Sequence, residues 1–203
     1  MAALLIERAI DSMDPGDVQS LEIKVAPGGS DAILRYLGPA AMTSGDDVYV
    51  FLDGDQRKVD NFTDPNTIAP AAHAQLGALL KGETGVDPMF HIPGGQGVAA
   101  HEAAKVQAHL NYLMWLRARV AYLPGVVPEE TFLTALNPAG AYDNLTAAEA
   151  KVALKEMLAK DVEVTSSELV TLAKVAAASI PQGHQNLAAI RQRISLWLHG
   201  APA

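Results

Sequence analysis

Apolar residues near the start of the chain follow helical and strand-like patterns in turn. Helical spacing from Ala2 to Met13 predicts a helix that ends at the Asp-Pro-Gly sequence that follows. Leu21–Val25 alternates apolar and polar residues, and Val48–Leu52 is a short apolar run, so both are predicted strands. Between them, a short helix is predicted that begins at Ser30, runs through Leu37 and ends at Gly38-Pro39. Two strands form only a small sheet, so we expect a hairpin or a sheet that another subunit completes.

Two irregular segments surround a short helix in the middle of the chain. Residues 53–70 are polar, rich in Asp, Asn, Thr and Pro, and lack periodicity, which predicts a long loop. Pro70–Lys81 is predicted to be helical and to end at Gly82. A second irregular segment, residues 83–97, leads to the next helix.

The longest predicted helix is strongly apolar. Val98–Leu123 contains no helix breaker before Pro124, and such a helix would be about 39 Å long. From Ala108 onward it is apolar around most of its circumference, which is typical of a helix enclosed by its own domain or by a partner. Because the flanking helices are short, we expect a partner to cover it. The interface candidates are Leu110, Leu113, Met114, Trp115, Leu116 and Val120.

The C-terminal third contains clear helix start signals. Thr146-Ala-Ala-Glu149 and Thr165-Ser-Ser-Glu168 both match a capping box, in which the Thr and Glu side chains bind free amides at the start of a helix. A last helix is predicted over 185–199. The short connections predict an antiparallel three-helix unit over residues 144–199.

Together these elements predict an α+β protein that is mostly α. A small N-terminal β element would accompany a helical C-terminal bundle around the long central helix. The predicted division is an acidic mixed α/β region, 1–70, and a helical region, 71–203. The length of 203 residues also allows one single domain.

Composition and charge limit the kinds of partner, chemistry and location that the chain can have. The net charge is −8, and residues 1–70 contain twelve acidic and five basic residues, which disfavours contact with a nucleic-acid backbone. No cysteine is present, so disulfides, thiolate metal sites and cysteine nucleophiles are excluded. No apolar run is long enough for a membrane span, and the N-terminus lacks the basic region of a signal peptide. We expect a soluble protein, inside a cell or within a particle.

A glycine-rich sequence before the long helix is a candidate anion-binding loop. Gly94, Gly95, Gln96 and Gly97 precede a helix N-terminus, where free amides can bind an anion. His91 or His101 could then act as an acid or base, because histidine titrates near neutral pH. The known phosphate-loop spacings are absent, which favours a flexible loop at the start of a helix.

Metal binding is not expected from the sequence. His101 and His109 lie eight residues apart on the long helix, too far for one mononuclear metal. Asp53-Gly54-Asp55, followed by Asp60 and Asp64, has the carboxylates of a calcium loop. The glycine of this sequence is misplaced for an EF-hand loop and no Glu stands at the closing position, so an acidic surface loop is favoured. We expect no cofactor.

The sequence therefore supports three hypotheses about function. The first is a non-enzymatic assembly subunit that packs against copies of itself or other assembly proteins, by analogy with coat, connector or adaptor proteins of virions and phage particles. The second is a small-molecule enzyme that uses the loop at 93–97 and a histidine. The third is a heteromeric helical adaptor that binds a partner through its last three helices.

Overall fold

The computed structural model describes residues 1–19, 21–92, 97–142, 145–160 and 162–200. It is 64% helical and contains a small parallel sheet of two strands, which confirms the α+β, mostly α fold class. The chain forms two compact units. The first consists of Met1–Val25, Asp53–Asp55 and Tyr122–Ala203, and the second of Ala26–Leu52 and Gln56–Ala121. The predicted boundary at residue 70 falls inside the second unit.

The helices of the first unit come from both ends of the chain. They are α1 (Ala2–Ile10), α2 (Pro15–Val18), α7 (Pro128–Leu136), α8 (Ala147–Ala159), α9 (Ser166–Ser179) and α10 (Gln185–His199). Both predicted capping boxes are present: the hydroxyls of Thr146 and Thr165 accept from the amides of Glu149 and Glu168, and each glutamate accepts from the amide of its threonine. This confirms the predicted starts of α8 and α9.

The N-terminal helix completes the packing of the last helices. α1 packs against α9 and α10, while α8 packs against α7 and α9. The guanidinium of Arg8 donates twice to the carbonyl oxygen of Ile180, at 3.1 and 2.8 Å. Leu5 and Ile180 are fully buried. The role of α1 was not predicted, because nothing in its local pattern indicates contact with helices about 170 residues later.

The second unit contains a short sheet and the longest helix. Its helices are α3 (Gly29–Ala32), a π-helical turn (Ile33–Leu37), α4 (Gly38–Ser44), α5 (Leu76–Thr84) and α6 (Val98–Arg119). Short 3-10 turns at Pro65–Thr67 and Pro70–Gln75 precede α5. The start of the helix predicted at Pro70 is therefore a 3-10 turn, and the α-helix begins at Leu76.

Gly38 and Pro39 were predicted to end the helix that begins near Ser30, and this prediction was wrong. The chain passes through the π-helical turn into α4, where Pro39 lies in the first turn. Proline is tolerated there because the first amides of a helix have no partner within it. The amide of Gly38 donates to the carbonyl oxygen of Ile33, five residues earlier. The next such bond would need an amide from Pro39, which has none.

The sheet differs from the predicted one. β1 (Val50–Leu52) pairs in parallel with β2 (Val120–Tyr122), so the sheet is neither a local hairpin nor built from two N-terminal strands. The predicted helix over 98–123 is correspondingly too long, since α6 ends at Arg119. At Val120 the backbone turns to extended values, φ −110° and ψ 134°. Pairing with β1 outweighs the helical pattern at this β-branched residue.

Leu21–Val25 does not form the predicted strand with any other segment. Within the described residues it lies outside every helix and strand. No helix of the described chain is long and apolar enough to cross a membrane.

Candidate functional site

The second half of α6 is mostly covered by the chain itself. Leu113 and Leu116 are fully buried, and Trp115 is 8% exposed. Val120, which lies on β2 rather than on a helix, is also buried. The expectation that this stretch needs a partner to cover it is therefore wrong for these four interface candidates. Leu110 is half-buried and Met114 is 47% exposed, so only these two of the six remain accessible.

α4 and α5 pack against α6, and aromatic side chains cluster on its second half. The ring of Tyr112 stacks on that of Trp115 at 5.6 Å, and Phe90 packs edge-on against both His109 and Tyr112, at 5.3 and 5.5 Å. Burial raises the pKa of Tyr112 far above its ordinary value. The pKa of His109 is lowered by burial and by the charge of Lys105, one turn earlier. His109 is therefore a neutral core residue at neutral pH.

Sequence reasoning missed the role of this aromatic cluster. Phe90 lies in a segment without periodicity, so its contact with α6 left no local signal. Tyr112 did leave one, because a tyrosine within an apolar helix needs a partner for its hydroxyl. That partner is the carbonyl oxygen of Leu34, at 2.7 Å.

The first half of α6 is exposed. Val98 is 83% exposed, and each residue over 98–107 is exposed or half-buried. Its N-cap, Gly97, provides no side-chain hydrogen bond, and no acidic residue lies in the first turn. An isolated helical segment as short as residues 98–107 is marginally stable in water, because most helical stability in proteins comes from tertiary packing. Within the described part of the chain, this end of α6 has little packing and no capping side chain.

An apolar stripe runs along the exposed half of α6. Residues spaced by four, three and four positions fall within about 60° of one another around the helix axis. They are Ala99, Ala103, Val106 and Leu110, and we call them the α6 stripe. The first two are exposed, and the last two are half-buried. All four are uncharged, and Met114 extends the stripe by one turn.

The candidate enzymatic residues are only partly described. Gly94, Gly95 and Gln96 lie outside the described residues, so the anion-loop hypothesis rests on sequence alone. Gly97 has a φ of +88° and accepts a hydrogen bond from the amide of His101 through its carbonyl oxygen, at 3.1 Å. His91 and His101 are both exposed.

Asp53 and Asp55 lie in the first unit, in a turn that follows β1. The amide of Asp55 donates to the carbonyl oxygen of Val126 at 2.7 Å, and the amide of Val126 donates to a carboxylate oxygen of Glu130 at 2.7 Å. Burial, and then the neighbouring charge of Asp55, raise the pKa of Asp53. Across the described ranges, no three His, Cys, Asp or Glu side chains are grouped so as to hold a metal ion.

The later acidic residues of the candidate calcium loop belong to the second unit. Asp64 accepts from the amide of Asn66, which lowers the pKa of Asp64, and it pairs with Arg117 at 3.4 Å. Asp60 is almost fully exposed and lies 4.0 Å from Arg57. In both cases the positive charge near the carboxylate belongs to an arginine of the same unit.

Comparisons with known proteins give no relative: no family model, no curated protein and no solved structure matches this chain. The functional argument therefore depends on the residues described above.

Proposed function

We propose that this chain is a non-enzymatic assembly subunit that associates with copies of itself through the α6 stripe. The observation that carries the proposal is the exposed first half of α6, which among the described residues has little tertiary cover and no capping side chain. A partner helix would supply the missing packing. A coat, connector or adaptor protein of a particle is the form that this function takes by analogy.

The stripe is complementary to itself in one arrangement. If two copies of α6 pack antiparallel about a point between Ala104 and Lys105, Ala99 lies opposite Leu110 of the second copy. In the same register Ala103 lies opposite Val106. Small residues then face large ones in every layer, which lets two helices approach closely and fill the space between them. A twofold contact needs this self-complementarity, because each copy contributes the same surface.

A single charge in the stripe tests the proposal. Ala103→Glu would place two buried carboxylates in the contact between copies, so we expect the α6 contact to be lost and association in sedimentation velocity to fall below that of the wild type. Ala104→Glu is the matched control, since that residue is exposed and lies 100° further around the helix. The control should associate as the wild type does.

A wild-type protein that is monomeric at high micromolar concentration would overturn the proposal and favour the heteromeric adaptor. Equal association of both variants would also overturn it.

A second candidate function is binding of a divalent cation at Asp53 and Asp55. One observation favours it: Asp53 is half-buried, and burial, followed by the charge of the neighbouring Asp55, raises the pKa of its carboxyl group. Asp53 also directly follows β1, and the carboxyl ends of parallel strands are common ligand sites. Mg²⁺ often uses only one or two carboxylates and keeps several waters. A cation would relieve the repulsion between the two aspartates.

Calorimetric titration with Mg²⁺ and Mn²⁺ tests this candidate. We expect binding to be lost in Asp53→Asn and retained in Asp60→Asn, which alters a carboxylate that is almost fully exposed. Absence of binding to the wild type, or equal binding to both variants, would exclude the site.

A further inference from the structure

Leu21–Val25 has the pattern of a strand but pairs with no strand among the described residues. Glu22 and Lys24 are both 73% exposed and form an ion pair at 2.9 Å, which places them on one side of the extended segment. Leu21 and Ile23 are half-buried, so burial alternates as in a strand that covers a core on one side. Val25 is 79% exposed.

The backbone of this segment lacks hydrogen-bond partners. Within the described residues, the amides and carbonyl groups of residues 22–25 make no backbone hydrogen bond, and the amide of Leu21 bonds only locally, to the carbonyl oxygen of Val18 at 3.0 Å. An extended segment with free backbone groups and β-branched residues can accept another strand along its edge.

We propose that Leu21–Val25 pairs antiparallel with the same segment of a second copy, about a twofold axis at Ile23. In this register Glu22 of each chain lies opposite Lys24 of the other. Leu21 lies opposite Val25, which joins an apolar residue to the exposed valine. Opposite charges directly across a strand pair are stabilising, and like charges are destabilising.

Charge also selects the direction of pairing. A parallel arrangement in the same register would place Glu22 opposite Glu22 and Lys24 opposite Lys24. Only the antiparallel arrangement places opposite charges across both pairs. A second copy of the same segment is therefore the partner that Leu21–Val25 fits.

This inference goes beyond the α6 contact, because Leu21–Val25 belongs to the first unit and the α6 stripe to the second. A chain with two separate twofold surfaces forms either a closed assembly of four or more copies or an extended filament. The α6 stripe alone would give a dimer.

A charge-swap experiment tests the strand pairing, with association measured by sedimentation velocity in the full chain carrying Ala103→Glu. That substitution removes the proposed α6 contact and leaves the strand contact to be measured alone. Lys24→Glu places like charges across both symmetric pairs, so we expect association to weaken on the order of 30-fold. Adding Glu22→Lys to Lys24→Glu restores opposite charges, and association should return to the starting value.

One mixture and one control variant make the result specific. Lys24→Glu chains mixed with Glu22→Lys chains should form a heterodimer, since each carries like charges that attract those of the other. Lys174→Glu, the same change at an exposed position on α9, is the control and should have no effect.

The outcomes separate this inference from the proposed function. If the Ala103→Glu chain is monomeric, or if the charge swap fails to restore association, the strand pairing is overturned, whatever the α6 comparison shows. If association is sensitive to residues 22 and 24 but not to Ala103, the strand pairing holds and the α6 contact is overturned.

Discussion

The hydroxyl of Tyr112 donates a hydrogen bond to the carbonyl oxygen of Leu34 at 2.7 Å. This bond gives the carbonyl of Leu34 a hydrogen-bond donor that the backbone of its own helix does not provide. In the π-helical turn each carbonyl accepts from an amide five residues later, and the residue five after Leu34 is the position of Pro39. Both Leu34 and Tyr112 are buried, so water does not replace the missing donor.

Removing the Tyr112 hydroxyl should destabilise the second unit. Tyr112→Phe leaves the buried carbonyl of Leu34 without a donor, and we expect a loss of about 1–3 kcal/mol in the free energy of unfolding. Urea unfolding followed by circular dichroism measures it. Tyr36→Phe is the control, because that side chain is 52% exposed, and its cost should be below about 0.5 kcal/mol.

Replacing Pro39 with alanine should reduce the cost of the Tyr112→Phe substitution in the free energy of unfolding. Pro39→Ala provides an amide at the position from which a π-helical turn can donate to Leu34. We therefore expect Tyr112→Phe to cost less in the Pro39→Ala background than in the wild type, as measured by a double-mutant cycle. Strictly additive costs would contradict this explanation of the bond.

Acid should destabilise the second unit through His109. Burial lowers the pKa of His109 below 6.5, so the unfolded chain takes up a proton at a higher pH than the folded chain. Stability from this group is constant above about pH 6.5 and falls as the pH drops toward the lowered pKa of the folded state.

The pH dependence of the urea midpoint between pH 7.5 and 5 measures this effect. His109→Gln should flatten the profile, whereas His101→Gln, at an exposed position, should not change it. Part of the slope should remain, because burial also lowers the pKa of His184 in the first unit. The same slope in His109→Gln and in the wild type would refute the assignment.

Gly54 should tolerate no side chain. A Cβ atom at this position would overlap the carbonyl oxygen of Gly125, so Gly54→Ala must displace the backbone around the Asp53–Asp55 turn. We expect a loss well above 1 kcal/mol. Gly82→Ala is the matched control, since its Cβ would meet open space in α5, and alanine there should stabilise the helix by about 0.5–1 kcal/mol. Equal effects of the two changes in thermal denaturation would contradict the close approach.

Local signals explain which parts of the fold were predictable. The starts of α8 and α9 depend on a hydroxyl and a carboxylate three residues apart, so the local sequence is sufficient to predict where these helices begin. β2 was not predictable in this way. Val120–Tyr122 continues the apolar pattern of α6, and its extended form depends on pairing with β1, about 70 residues earlier.

The candidate surface on α6 was likewise only partly predictable from the local sequence. The sequence correctly indicates an apolar helix, but exposure depends on distant residues that happen to cover it. In the second half Tyr112 contacts Phe90 and the carbonyl oxygen of Leu34, and the predicted surface at Leu113 and Leu116 is core. The accessible stripe begins instead in the alanine-rich half, where weakly apolar residues gave little reason to expect a contact.

The arrangement of the first unit has a consequence for the order of events during translation. α1 is synthesised before α9 and α10, against which it packs. The second unit is complete once Ala121 has emerged from the ribosome. Folding of the first unit therefore cannot follow the direction of synthesis: α1 must wait, with Leu5 uncovered, until α9 and α10 have been made.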